Sequence, residues 1–152
     1  MKDNQTIKIY IFEIWLEENE GKVSRRIQIA GKDALYNFAK IITKSFGFYF
    51  DHCFGFYDNF NRLNNSTKAF ELFVDVGETP LSEITKGVKK TKVSQAFENI
   101  GEKMLFFFDY GDEWRFTVKL IDIKDVSKDI KIKPAVLQKI GKSPMQYPSC
   151  DE

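Results

Sequence analysis

Asp109, Asp112 and Glu113 place three carboxylates within five residues, around Tyr110 and Gly111 and directly before Trp114-Arg115. That spacing could hold a divalent cation or supply a general base. It also suits a hairpin turn, because an aspartate there accepts hydrogen bonds from nearby amides. The turn is the expectation, with Gly111 at the position that needs a positive φ. His52 is the single histidine and could exchange protons near neutral pH. Phe48, Phe50, Phe54 and Phe56 alternate around it, so a buried neutral imidazole is expected. Cys53 follows His52, but neighbours in a regular strand point to opposite faces. A Cys–His nucleophile pair would therefore need Cys150. Arg25 shares the apolar face of its segment, where an ion pair at the rim of a sheet is expected. If these groups form a binding site, Arg25, His52, Asp109, Asp112 and Trp114 are the residues expected to converge.

Other chemistries are poorly provided for. One histidine and two cysteines do not readily fill a four-ligand zinc site. The chain has no GxxxxGK[ST], GxGxxG or GxSxG run. No cofactor is implied. Lys and Arg total 23 against 22 Asp and Glu, a net charge of +1. A dedicated nucleic-acid binder usually carries a basic excess. Two local clusters, Lys86, Lys89, Lys90 and Lys92, and Lys124, Lys128, Lys131 and Lys133, leave room only for weak binding of that kind; solvated loops and helix ends are the expectation. The first residues lack an apolar signal core and the apolar runs are strand-sized. A cytoplasmic protein with reduced thiols and no membrane segment is expected.

Positioning these groups falls to a chain of 152 residues, a length suited to one domain with a real core. Its 15 Phe, 6 Tyr and 2 Trp are expected to fill that core. Residues 7–16 are apolar on both faces and predict a central strand. Residues 23–30 alternate and predict its antiparallel partner. Leu35, Phe38, Ala39, Ile42 and Phe46 recur at helical spacing, with Asp33 as N-cap and Gly47 as stop. Residues 48–57 and 70–76 read as strands, and residues 59–68 as a polar loop. Thr79-Pro80 predicts a short helix stopping near Gly87, and residues 93–100 another. Residues 104–108 predict a buried strand. Trp114, Phe116, Val118 and Leu120 share one face of the strand after the turn. Pro134 predicts a last helix carrying Val136, Leu137 and Ile140, before an extended tail over residues 142–152. The fold class is α+β, one domain with a mostly antiparallel sheet; the opening hairpin and helix could resemble a β-grasp, with strand order open.

The order of these segments resembles the plasmid pRiA4b Orf-three-like family, some of whose members are labelled passenger proteins of insertion elements. The resemblance runs from about Ile7 to Pro148. It is carried by Ser24-Arg25-Arg26-Ile27, by Gly47-Phe48, and by Asp51-His52-Cys53-Phe54-Gly55-Phe56. Its most specific part is Phe108-Asp109-Tyr110-Gly111-Asp112-Glu113-Trp114-Arg115, followed at the end by Pro144-Met145-Gln146-Tyr147-Pro148. Val23 departs from the family's neighbouring Trp and Pro, Phe116 stands where its signature has a histidine, and its usual Cys and Gly-Gly near the end are not cleanly matched. The resemblance implies a compact α+β domain and no established reaction. The functional expectation is a non-enzymatic binding or accessory module with an unknown ligand or protein partner, possible links to mobile elements included. The alternatives are a metal-assisted hydrolase or nuclease-like enzyme using Asp109 and Asp112, and a weak nucleic-acid binder.

Overall fold

Apolar side chains on both faces put Thr6–Leu16 (β1) in the interior of a seven-stranded sheet, between two antiparallel neighbours. The computed structural model describes residues 6–148. A 3-10 turn at Glu17–Asn19 leads to β2, Ser24–Ala30, which completes the expected hairpin. Helix α1, Leu35–Ser45, follows, then β3, Phe54–Tyr57, and β4, Ala69–Glu71. Two single-turn helices come next, α2 at Leu72–Asp75 and α3 at Val93–Ala96. The long hairpin of β5, Lys103–Phe108, and β6, Trp114–Ser127, precedes β7, Ala135–Ile140. Strand order is β4-β3-β5-β6-β1-β2-β7, and every ladder is antiparallel.

Helix α1 buries Leu35, Phe38, Ala39 and Ile42 against one face of the sheet. There they meet Phe12, Phe54, Phe56, Phe106, Phe108 and Phe116, so the phenylalanine surplus is core. The helix starts one residue later than expected: Ala34 holds the N-cap position, while Asp33 Oδ1 accepts its amide at 3.0 Å. Gly47, at φ 77°, turns the chain out of the helix. A smaller cluster of Tyr57, Ala69, Leu105 and Phe107 lies on the opposite face.

Five local expectations fail in whole or in part, because strand pairing, or its absence, and local turns override the pattern read from side-chain spacing. The 135–140 segment pairs with β2 as strand β7 instead of forming a helix after Pro134. Residues 48–53 join no ladder, and the strand begins only at Phe54. Residues 72–75 curl into α2, with Val76 N–H closing on the Leu72 carbonyl at 3.1 Å. The 80–87 segment stays non-helical because β4 holds it: Lys86 N–H bonds the Ala69 carbonyl at 3.0 Å, and Glu71 N–H bonds that of Lys86 at 2.8 Å. Of the helix expected over 93–100, only α3 forms.

Before β5, Glu102 gathers Lys68 and the amides of Glu98 at 2.8 Å and Asn99 at 3.2 Å. Burial opposes ionisation, but these donors outweigh it and hold the carboxyl below its usual range. Its stabilisation is complete above the unfolded value of about 4.3 and fades as pH falls through the lower folded value. Urea midpoints are therefore expected to drop from about pH 6 to about pH 3. The slope should be shallower in Glu102→Gln; equal slopes in both proteins would refute this assignment.

Candidate functional site

The turn joining β5 to β6 is built by Asp109. Its backbone is left-handed, at φ 70°, and Glu113 closes the bend at φ 54°. Gly111 is not among the positive-φ residues, contrary to expectation. Aspartate tolerates this conformation when its side chain bonds locally. Asp109 Oδ1 accepts the amides of Gly111 at 3.0 Å and Asp112 at 3.2 Å, while its carbonyl accepts Glu113 N–H at 2.6 Å. Its own amide bonds the Cys53 carbonyl at 2.9 Å, which ties the turn to the chain entering β3.

That tie brings His52 to the turn. His52 is not buried; its side chain is 39% exposed. Because 48–53 is not a strand, the ring leaves the phenylalanine face and points toward Asp109. Nε2 lies 3.3 Å from Asp109 Oδ2, 3.7 Å from Asp51 Oδ1 and 2.7 Å from Tyr147 Oη. Tyr147 donates its own proton to Asp51 Oδ2 at 2.8 Å. The Tyr147 oxygen is therefore the acceptor toward His52, and Nε2 carries the hydrogen. Desolvation, the bond to Asp51 and the charges of Asp51, Asp109 and Asp112 push the Tyr147 hydroxyl up to about 12. It stays protonated at neutral pH.

The neighbouring Gln146 is buried and anchors the end of the described chain. Its Oε1 accepts Tyr49 N–H at 2.7 Å, and Nε2 donates to Asp51 Oδ1 at 3.2 Å. Asp51, Gln146 and Tyr147 entered the sequence reading only within the family resemblance and not as expected site residues. The available signal was the adjacency of Asp51 to His52 and the Pro144–Pro148 run. Cys150 lies outside the described residues.

Beside this clamp, Trp114 stacks edge to face on Phe48 at 4.7 Å between centroids. It is half-buried, and its indole nitrogen is buried without a hydrogen-bond partner among the described residues. The ring walls a cleft of about 260 Å³. Leu16 and Pro144 supply further apolar wall, and Glu17, Glu18, Asp112 and Glu113 supply four carboxylates. Arg115 is the one cation among the described residues that line it; its Nε bonds Glu17 Oε1 at 2.5 Å and Nη2 the Phe60 carbonyl at 2.6 Å. Asp112 and Glu113 are exposed and make no ion pair among the described residues.

Arg25 is elsewhere. It is 4% exposed and forms no ion pair among the described residues, contrary to the rim pairing expected for it. Its guanidinium donates to the carbonyls of Ser45 (2.6 Å), Ser24 (2.7 Å), Ile140 (3.0 Å) and Gly141 (3.2 Å), and lies 4.6 Å above the Phe46 ring. It clamps the end of α1 to β2 and β7. The structure thus gathers His52, Asp109, Asp112 and Trp114 at one end of the sheet and leaves Arg25 out.

A polar cluster unseen in sequence lies on the opposite face. The Tyr57 hydroxyl bonds the fully buried Glu71, which also accepts Leu81 N–H at 3.2 Å, and Tyr110 Oη stands 2.7 Å away. Burial, then each other's and Glu71's presence, push the Tyr57 hydroxyl up, and burial does the same to Tyr110. Burial and the charge of Glu78 raise the Cys53 thiol, which makes it a poorer nucleophile. Among the described residues no three His, Cys, Asp or Glu side chains are grouped to hold a metal ion. No described helix is long and apolar enough to cross a membrane.

The profile of the family described as plasmid pRiA4b ORF-3-like protein matches residues 8–146. A crystal structure of a protein of unknown function, MM3350 from Methanosarcina mazei Go1, superposes with a TM-score of 0.67 at 18% identity. The overlap covers 88% of this chain and 70% of that one, and shows a common fold. No curated protein matches the chain.

Proposed function

We propose that this chain, which belongs to the plasmid pRiA4b ORF-3-like family, is a non-enzymatic binding module that grips a cationic group of a partner beside the 109–114 turn. The observation that carries this reading is the cleft walled by Trp114, where four carboxylates face a single, already paired arginine. An aromatic face edged with carboxylates suits a guanidinium or ammonium group.

The groups that could catalyse are otherwise occupied. Asp109 Oδ1 is spent on two amides, and its Oδ2 faces His52. His52 is held by Tyr147 as well as Asp109. Metal-assisted hydrolysis through Asp109 and Asp112 is supported less, because Asp109 is the scaffold of its own turn. The plasmid origin in the family's description is in keeping with an accessory role linked to mobile elements, in the cytoplasm.

Calorimetric titration with acetyl-triarginine amide tests the reading. Binding is expected to weaken at least tenfold, about 1.4 kcal/mol, in Asp112→Asn/Glu113→Gln. It should also weaken as salt rises, since both carboxylates are exposed. Both residues lie at the surface of the turn, so melting temperature should stay near the parent's. Undiminished binding by the double variant would contradict the proposal.

A further inference from the structure

The sequence cluster of lysines over 86–92 is split by the fold. Lys89 turns onto the Tyr36 ring, 5.0 Å from its centroid. Lys92 lines a shallow groove with Lys8 and Lys32. Lys86 and Lys90 alone converge on a separate cleft of about 320 Å³ between β4, the 84–91 segment and α3. Its volume falls within the range of small-molecule sites, about 300–1,000 Å³.

We propose that this cleft binds the phosphate monoester of a small molecule. Lys86 and Lys90 are exposed and form no ion pair among the described residues. The third lysine of the wall, Lys68, is already held by Glu102 and by the Ala96 carbonyl at 2.6 Å. Asp75, the carboxylate packed against this segment, is spent on the amides of Val88 at 2.7 Å and Lys89 at 3.2 Å. Two uncompensated ammonium groups therefore face one cavity. A phosphate monoester carries about −1.5 to −2 at neutral pH and matches both. A carboxylate would match only one.

The neutral groups agree with an anionic occupant. Gln95 fixes its Oε1 on the Lys92 amide at 2.7 Å, which leaves its Nε2 hydrogens to donate. Thr91 spends its hydroxyl proton on the Gly87 carbonyl at 2.6 Å, so the donors here are Lys86, Lys90 and Gln95. Phe70 and the half-exposed Ile84 give the organic part of the ligand an apolar wall.

The site is tested on the full chain by calorimetry with phenyl phosphate, inorganic phosphate and benzoate. Phenyl phosphate is expected to bind most tightly, inorganic phosphate more weakly for want of the ring, and benzoate at least tenfold more weakly than phenyl phosphate. Lys86→Gln/Lys90→Gln should lose at least tenfold for phenyl phosphate at an unchanged melting temperature. Lys124→Gln/Lys128→Gln, a change of equal charge elsewhere, should bind like the parent. No heat with phenyl phosphate at millimolar concentration, equal binding of benzoate, or undiminished binding by the Lys86/Lys90 variant would each overturn the site. None of these outcomes depends on the cleft beside Trp114.

Discussion

Replacing Arg25 with methionine is expected to lower unfolding free energy by about 3–5 kcal/mol, a large share of a small domain's total. Methionine restores much of the apolar stem but none of the donors. Four carbonyls, from Ser24, Ser45, Ile140 and Gly141, would lose charge-assisted hydrogen bonds in a site that is 4% exposed. Buried acceptors left without donors cost about 1–3 kcal/mol each, and relaxation around the site absorbs part of the sum. Lysine should recover less than half of the loss, because one ammonium cannot spread its hydrogens as a guanidinium fork does. Urea denaturation of Arg25→Met and Arg25→Lys checks this. A methionine variant as stable as the parent would mean that Arg25 is not a clamp.

Phe106→Ala is expected to cost about 3–5 kcal/mol as well, through loss of burial and the cavity left behind. Phe106 is fully buried in the middle of β5. Its ring lies 4.9 Å from Phe56, 5.7 Å from Phe54, 5.7 Å from Phe116 and 6.1 Å from Phe108, centroid to centroid. Strands β3 and β6 supply three of these neighbours, so little backbone can close in. The same change at Phe60, a half-buried residue at the margin of the smaller cluster, should cost clearly less. Equal urea midpoints for the two variants would contradict a core centred on β5.

Periodicity made the local elements legible. The alternation in β1 and β2, the apolar stripe of α1 and the run before the 109–114 turn each report which face is buried. What alternation cannot report is whether a partner strand exists. Phe48, Phe50 and His52 keep a strand's spacing, yet residues 48–53 join no ladder, and His52 swings out to meet Asp109. Val136, Leu137 and Ile140 fit one helical face, but they also fit an edge strand with a bulge, and pairing with β2 decides it. The turn residues Asp109, Asp112 and Trp114 were visible as a motif. Their companions Asp51, Glu17, Glu18 and Tyr147 come from distant positions, and only the fold assembles them. Arg25 shows the converse: its place on an apolar face was legible, but its partners at the end of α1 and in β7 were not.

The indole N–H of Trp114 offers the most direct test of the binding role. It gives a resolved signal in a two-dimensional amide spectrum of the labelled chain, distinct from that of Trp15. On titration with acetyl-triarginine amide, that signal should move, together with the amides of Leu16, Glu17, Glu18, Asp112, Glu113 and Arg115. Signals around Lys86 and Lys90 should stay still. A stationary Trp114 indole signal at saturating peptide would contradict a recognition cleft beside the turn.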